Sequence, residues 1–149
     1  MHRRLKAYAA LFGHRELVAD MLRGLVPNGC LTEQEYASLE HVRTLSSDDD
    51  VSYRALWRFR IDNTWVYLLL LIQAHIDRGQ SLRIAEDAVK VWLKLLQEEP
   101  YRSHREPLPP ICPVVVYIGE DPWNAPRTLK ELIRPLPRCL WSVMFTLRH

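Results

Sequence analysis

Nowhere in the 149 residues do two cysteines stand close enough in sequence to suggest a shared metal. Cys30, Cys112 and Cys139 are far apart, there is no Cys-x-x-Cys, and no histidine completes a zinc spacing. That argues against a structural zinc site or a disulfide scaffold, and an odd count of thiols fits a reducing interior. No apolar run is long enough to cross a bilayer: VYLLLLI, residues 66–72, falls far short of the ~20 residues a spanning helix needs and suits a buried strand. The opening MHRRLKAYAALF is basic but has neither the continuous apolar stretch nor the small-residue cleavage site of a secretory signal. A soluble cytoplasmic protein is expected, with no membrane partner and no small-molecule substrate evident. Neither sign of charge prevails. Lys and Arg number 20 against 18 Asp and Glu, a formal net charge of +2, which excludes a strongly basic nucleic-acid binder while leaving local basic patches open. Low-complexity tracts and internal repeats are also missing.

What is present is apolar sequence in quantity. At 48% hydrophobic residues the chain supports one core but not comfortably two. A single domain over 1–149 is expected, with N-terminal helices within 1–30, a core over 39–133, and 134–149 as a terminal strand or interface segment. Residues 3–12 and 15–25 carry apolar side chains at helical spacing, with Gly13-His14 as the joint and Pro27-Asn28-Gly29 as a turn. Thr32 with Glu35 reads as a helix cap. Residues 53–61 alternate Tyr53, Ala55, Trp57, Phe59 and Ile61 with Arg54, Leu56, Arg58 and Arg60, the period of a half-buried strand. Asp62-Asn63 then turns the chain into a strand over 64–76, apolar on both faces as a covered central strand would be.

Residues 81–97 form the clearest helix, with Leu82, Ala85, Val89, Trp92 and Leu96 along one side and Ala88, Val91 and Leu95 widening the stripe. A polar, proline-bearing loop leads to ICPVVVYIG, a further buried-strand candidate, and Thr128 with Glu131 caps a short helix. Two or three strands, a crossover helix and a returning strand predict an α/β fold: a mixed central sheet flanked by helices.

Several polar groups invite a chemical reading. Arg54, Arg58 and Arg60 share a strand face, either a solvated side answered by carboxylates or a phosphate-binding face. Leu71, Gln73, His75 and Asp77 share another through period-two spacing, and His75 with Asp77 offers a rebuilt metal site. Glu16 and Asp20 stand one helical turn apart, a second source of recruited acids or a plain surface pair. Asp48-Asp49-Asp50 reads as a solvated loop, because consecutive residues cannot all face one ion. Trp123 and Trp141 read as packing or interface residues, since neither lies in a basic, aromatic-rich stretch.

Taken in order, LFGHRELVADMLRGLVP (11–27), LWRFRI (56–61), WVYLLLLIQAHIDR (65–78) and LPPICPVVVYIGEDPWNAPRTLKELI (108–133) resemble the bacterial recombination-promoting nuclease and putative transposase family, a branch of the PD-(D/E)XK superfamily. The resemblance implies a restriction-endonuclease-like core. It also implies an aspartate at the position of Arg54, a glutamate at that of Leu71 and a glutamine at Gln73, together holding a divalent metal and orienting the attacking water. Only Gln73 follows the pattern. Magnesium needs hard oxygen ligands, whereas leucine supplies none and arginine repels the ion. The expectation is a nuclease-like protein with a degenerate centre, without a cofactor, acting through DNA or through a related nuclease subunit, as pseudo-subunit or inhibitor, or through self-association. The alternative is an active endonuclease of recombination or transposition, dependent on Mg2+ or Mn2+ and using Asp77, His75, Glu16 or Asp20. The resemblance also implies a further strand and helical region beyond the short helix, so an ending at FTLRH is expected to leave the fold short at its C-terminus.

Overall fold

The computed structural model describes residues 2–46 and 52–135. The acidic run at 48–50, Cys139, Trp141 and the apolar segment 140–147 lie outside the described residues. Among the described residues the elements follow in the order α1 (His2–Leu11), α2 (Arg15–Leu25), α3 (Glu33–Ala37), β1 (Glu40–Ser46), β2 (Ser52–Ile61), β3 (Thr64–Gln73), α4 (Gln80–Leu95), β4 (Ile111–Tyr117) and α5 (Leu129–Leu132).

The β2–β3 hairpin is the spine. Its ten pairs run without a slip from Ser52 opposite Gln73 to Ile61 opposite Thr64. The two-residue loop between them places Asp62 and Asn63 at φ 50° and 64°. Both residue types tolerate the left-handed backbone that a hairpin loop matching strand twist requires. β1 pairs antiparallel with β2, and β4 pairs parallel with β3 after the α4 crossover, giving the order β1-β2-β3-β4. This is the mixed sheet flanked by helices that the sequence predicts.

Alternation sends the two faces of the hairpin into two cores. Ala55, Trp57, Phe59, Leu68 and Leu70 pack with Val18, Ala19 and Leu22 of α2 and Tyr36 of α3. Leu56 and Tyr67 pack with Val91 and Leu95 of α4 and with Tyr101. With both faces covered, Tyr67 through Gln73 are all buried, which explains a strand with no polar side.

The Thr32 cap forms as expected: the Thr32 hydroxyl accepts from the Glu35 amide at 3.1 Å, and the Glu35 carboxylate accepts from the Thr32 amide at 2.9 Å. Thr32→Ala is expected to lower stability by about 1 kcal/mol in urea denaturation, the usual loss of an N-cap oxygen.

Three expectations need correction, and one strand went unread. The strand over 64–76 stops at Gln73, because Ala74 and His75 bend the chain toward α4; His75 and Asp77 therefore do not continue a strand face. β1 escapes a reading by periodicity, since EHVRTLS is largely polar and its ladder with β2 slips twice. The helix over 81–97 runs Gln80–Leu95 and turns a different stripe inward. Asp87, Val91 and Leu95 are buried, whereas Leu82 and Val89 face solvent. β4 is less covered than its apolar letters suggest, with Cys112, Pro113 and Val115 exposed.

Candidate functional site

Register brings the marked positions together. Arg54 lies directly across the hairpin from Leu71, and Ser52 lies across from Gln73. Leu71 and Gln73 are in turn paired with Val115 and Tyr117 of β4. Beyond this end of the hairpin the bend through residues 74–79 and the start of α4 close a cleft of about 380 Å3, lined by Arg54, Leu71, Gln73, Asp77, Gln80 and Arg83 among others.

The decisive contact at its wall, made by Arg54, is to a residue that strand reasoning cannot reach. One guanidinium nitrogen of Arg54, Nη1, donates to both carboxylate oxygens of Asp87, at 2.8 and 2.7 Å. Asp87 is 7% exposed and sits on the inward stripe of α4, four residues before Val91 and eight before Leu95. A carboxylate buried to that degree needs a charged partner. Arg54 supplies it from the sheet, so β2 and α4 are joined by an ion pair in the place where the resemblance puts the metal. The available signal was helix phase: Asp87 shares the face of Val91 and Leu95.

The other marked residues are placed as follows. Leu71 is 2% exposed, a packed apolar side chain with no ligand to offer, and Gln73 is buried beside it. His75 is exposed on the bend. Asp77 lines the cleft but both its oxygens are engaged, one accepting from the Gly79 amide at 2.9 Å and the other from Arg83 Nε at 2.6 Å. It stabilises the entry into α4 instead of extending a ligand row. Glu16 and Asp20 are exposed on α2, which packs against the opposite face of the sheet, and Asp20 pairs with Arg23 at 2.6 Å. Neither belongs to the cleft lining.

The arginine face is answered unevenly. Arg54 is held by Asp87 and Arg58 by Glu40. Burial disfavours the Arg58 charge, but hydrogen bonds to the Tyr67 hydroxyl and the Glu40 carboxylate prevail and raise its pKa above the usual guanidinium value. Arg58 also lies 4.0 Å over the Trp65 ring and Arg60 lies 4.9 Å from it, so the indole is shared by two cations at the hairpin-turn end. Arg60 otherwise donates to the Asn63 carbonyl at 3.1 Å. Trp123 packs edge-on against Tyr117 at 5.2 Å, consistent with a packing role.

The sequence model described as "Putative transposase, YhgA-like" matches residues 13–146. The chain belongs to that family. No curated protein and no solved structure matches it. As a YhgA-like member of the PD-(D/E)XK superfamily, the chain carries the expected mixed sheet, with Arg54, Leu71 and Gln73 gathered at one end of its central hairpin. Of the three positions in this YhgA-like cleft that the resemblance marks, only Gln73 keeps an oxygen donor, and His75 and Asp77 also line the cleft. Leu71 has no oxygen, Arg54 is a fixed cation, and Asp87 already gives both oxygens to it. Among the described residues no three His, Cys, Asp or Glu side chains gather as metal ligands. Nor is any described helix long and apolar enough to cross a membrane.

Proposed function

We propose that this YhgA-like protein is a nuclease fold that has exchanged metal-dependent cleavage for binding, serving as a pseudo-subunit or inhibitor of an active relative. The observation that supports this reading is the Arg54–Asp87 pair opposite Leu71. Phosphodiester hydrolysis at such a centre needs an ion that activates water and takes up phosphoryl charge. A guanidinium can attract a phosphate but cannot activate water, and here its charge is already balanced by a buried carboxylate. The same balance weakens the phosphate-binding reading of the arginine face, because Arg58 is likewise neutralised by Glu40. Association with protein is therefore favoured over a grip on DNA, and Arg60 is the member of the three that no carboxylate answers among the described residues.

The test is a cleavage assay with supercoiled and linear DNA in Mg2+ or Mn2+, run beside a chelator control and the variants Glu16→Ala, Asp20→Ala and Asp77→Ala. Folded protein is expected to give no chelator-sensitive cleavage. Cutting that requires the metal and disappears with one of those acids would overturn the reading and identify an active endonuclease with a recruited centre.

A further inference from the structure

The helix that carries Asp87 is apolar on two opposite sides. Its inner stripe lies on the sheet, while Leu82, Val89 and Leu93 are 59%, 48% and 57% exposed. These three recur at steps of seven and four residues, so at ~100° per residue they form one line on the face turned away from the sheet. Single exposed leucines are ordinary, but an aligned row on a helix already buried on its other side marks a contact surface.

The charges beside that row indicate which partner fits. Glu86 and Lys90 flank it, paired on their own helix at 2.9 Å and both largely exposed. The hydrogen bond from Lys90 holds the Glu86 carboxyl below the usual carboxylate range, so it stays ionised near neutrality. The order Leu82, Glu86, Lys90, Leu93 is nearly its own complement when reversed. In an antiparallel pair of helices with a two-fold axis near residue 88, Glu86 of each copy faces Lys90 of the other and Leu82 faces Leu93. A closed two-fold contact demands this kind of self-complementarity, which an unrelated partner would not require.

We propose that the outer face of α4 is the surface through which two copies of this chain pair, helix against helix and antiparallel. The pairing is independent of whether the cleft cuts DNA. Three aligned apolar side chains make a patch well below the ~800 Å2 per partner of tight complexes, so the dimer is a weak, concentration-dependent one.

Sedimentation velocity of the full chain from about 1 to 300 μM reads this directly, with dissociation expected in the tens of micromolar. Glu86→Lys and Lys90→Glu each set like charges against each other and are expected to weaken the dimer at least about tenfold. An equimolar mixture of the two variants makes every crossed pair opposite in sign and is expected to associate again. Val89→Glu, at the middle of the row, is expected to stay monomeric with an unchanged circular dichroism spectrum. A wild-type chain that remains monomeric at the highest concentration sinks the proposal. So does a dimer indifferent to these substitutions, or a charge-swapped mixture that associates no better than its components.

Discussion

Arg54→Ala is expected to lower the free energy of unfolding by about 2–4 kcal/mol, far more than truncation of a surface arginine. The reason is what it leaves behind. Asp87 has an 8% exposed side chain, and without Arg54 its carboxylate has no cation within hydrogen-bond reach among the described residues. Losing one partner of a buried pair ordinarily costs about 3–5 kcal/mol, and the lower range here allows for Arg54 being 27% exposed and for water entering the cleft. Replacing both partners with apolar residues, Arg54→Met with Asp87→Leu, is expected to recover most of the loss, since no charge is then stranded. Urea denaturation of the two variants checks this. A loss below about 0.5 kcal/mol for Arg54→Ala would mean that the pair does not organise the cleft.

The second large effect comes from restoring the acids that the resemblance assigns. Arg54→Asp with Leu71→Glu removes the cation, buries a new carboxylate in place of a 2% exposed leucine, and leaves Asp87 without its partner. In chelator this variant is expected to lose several kcal/mol of stability, or to unfold, because carboxylates crowded in a closed space repel one another. Mg2+ or Mn2+ is expected to return much of it. A ligand at a hundred times its dissociation constant contributes about 2.7 kcal/mol. Thermal melts across a metal titration read the effect, with the wild type as the control whose melting temperature does not move. A variant indifferent to metal would show that these two positions do not face a common ion site.

The parts of the fold that could be read in the sequence are those in which one periodicity decides. Trp57 and Phe59 alternate with arginines, and residues 66–72 are apolar throughout, so the hairpin and its turn at Asp62-Asn63 follow directly. α4 was legible as a helix but not in its orientation. Both sides of it are apolar, and the side that faces inward contains Asp87, a residue that hydropathy assigns to water. Only the partner on β2 makes that burial tolerable, and a partner 33 positions away leaves no local trace. The extent of β3 was overread for a related reason. Ala74 and Ile76 prolong the apolar alternation, but Asp77 is needed at the α4 entry, where it accepts from Gly79 and Arg83. At the site, the placement of Arg54 opposite Leu71, with Gln73 at the same end, follows from a hairpin register set by a two-residue loop. His75 lines the cleft from the bend after β3, whereas Glu16 and Asp20 lie on the far side of the sheet.

The parallel pairing of β4 with β3 has a consequence for the chain as it is made. The hairpin closes through neighbours in sequence and can form as soon as Gln73 has emerged. Its outer edge must then wait for Ile111, nearly forty residues later. At ribosomal speeds of about 5–20 residues per second, that interval is roughly 2–8 seconds. Throughout it β3, the most apolar strand of the described sheet, presents an unpaired edge to everything in its vicinity. The vulnerable moment in the life of this protein is thus set by topology, and it falls during synthesis, when the half-built sheet is open to chaperones and to misplaced strands from neighbouring nascent chains.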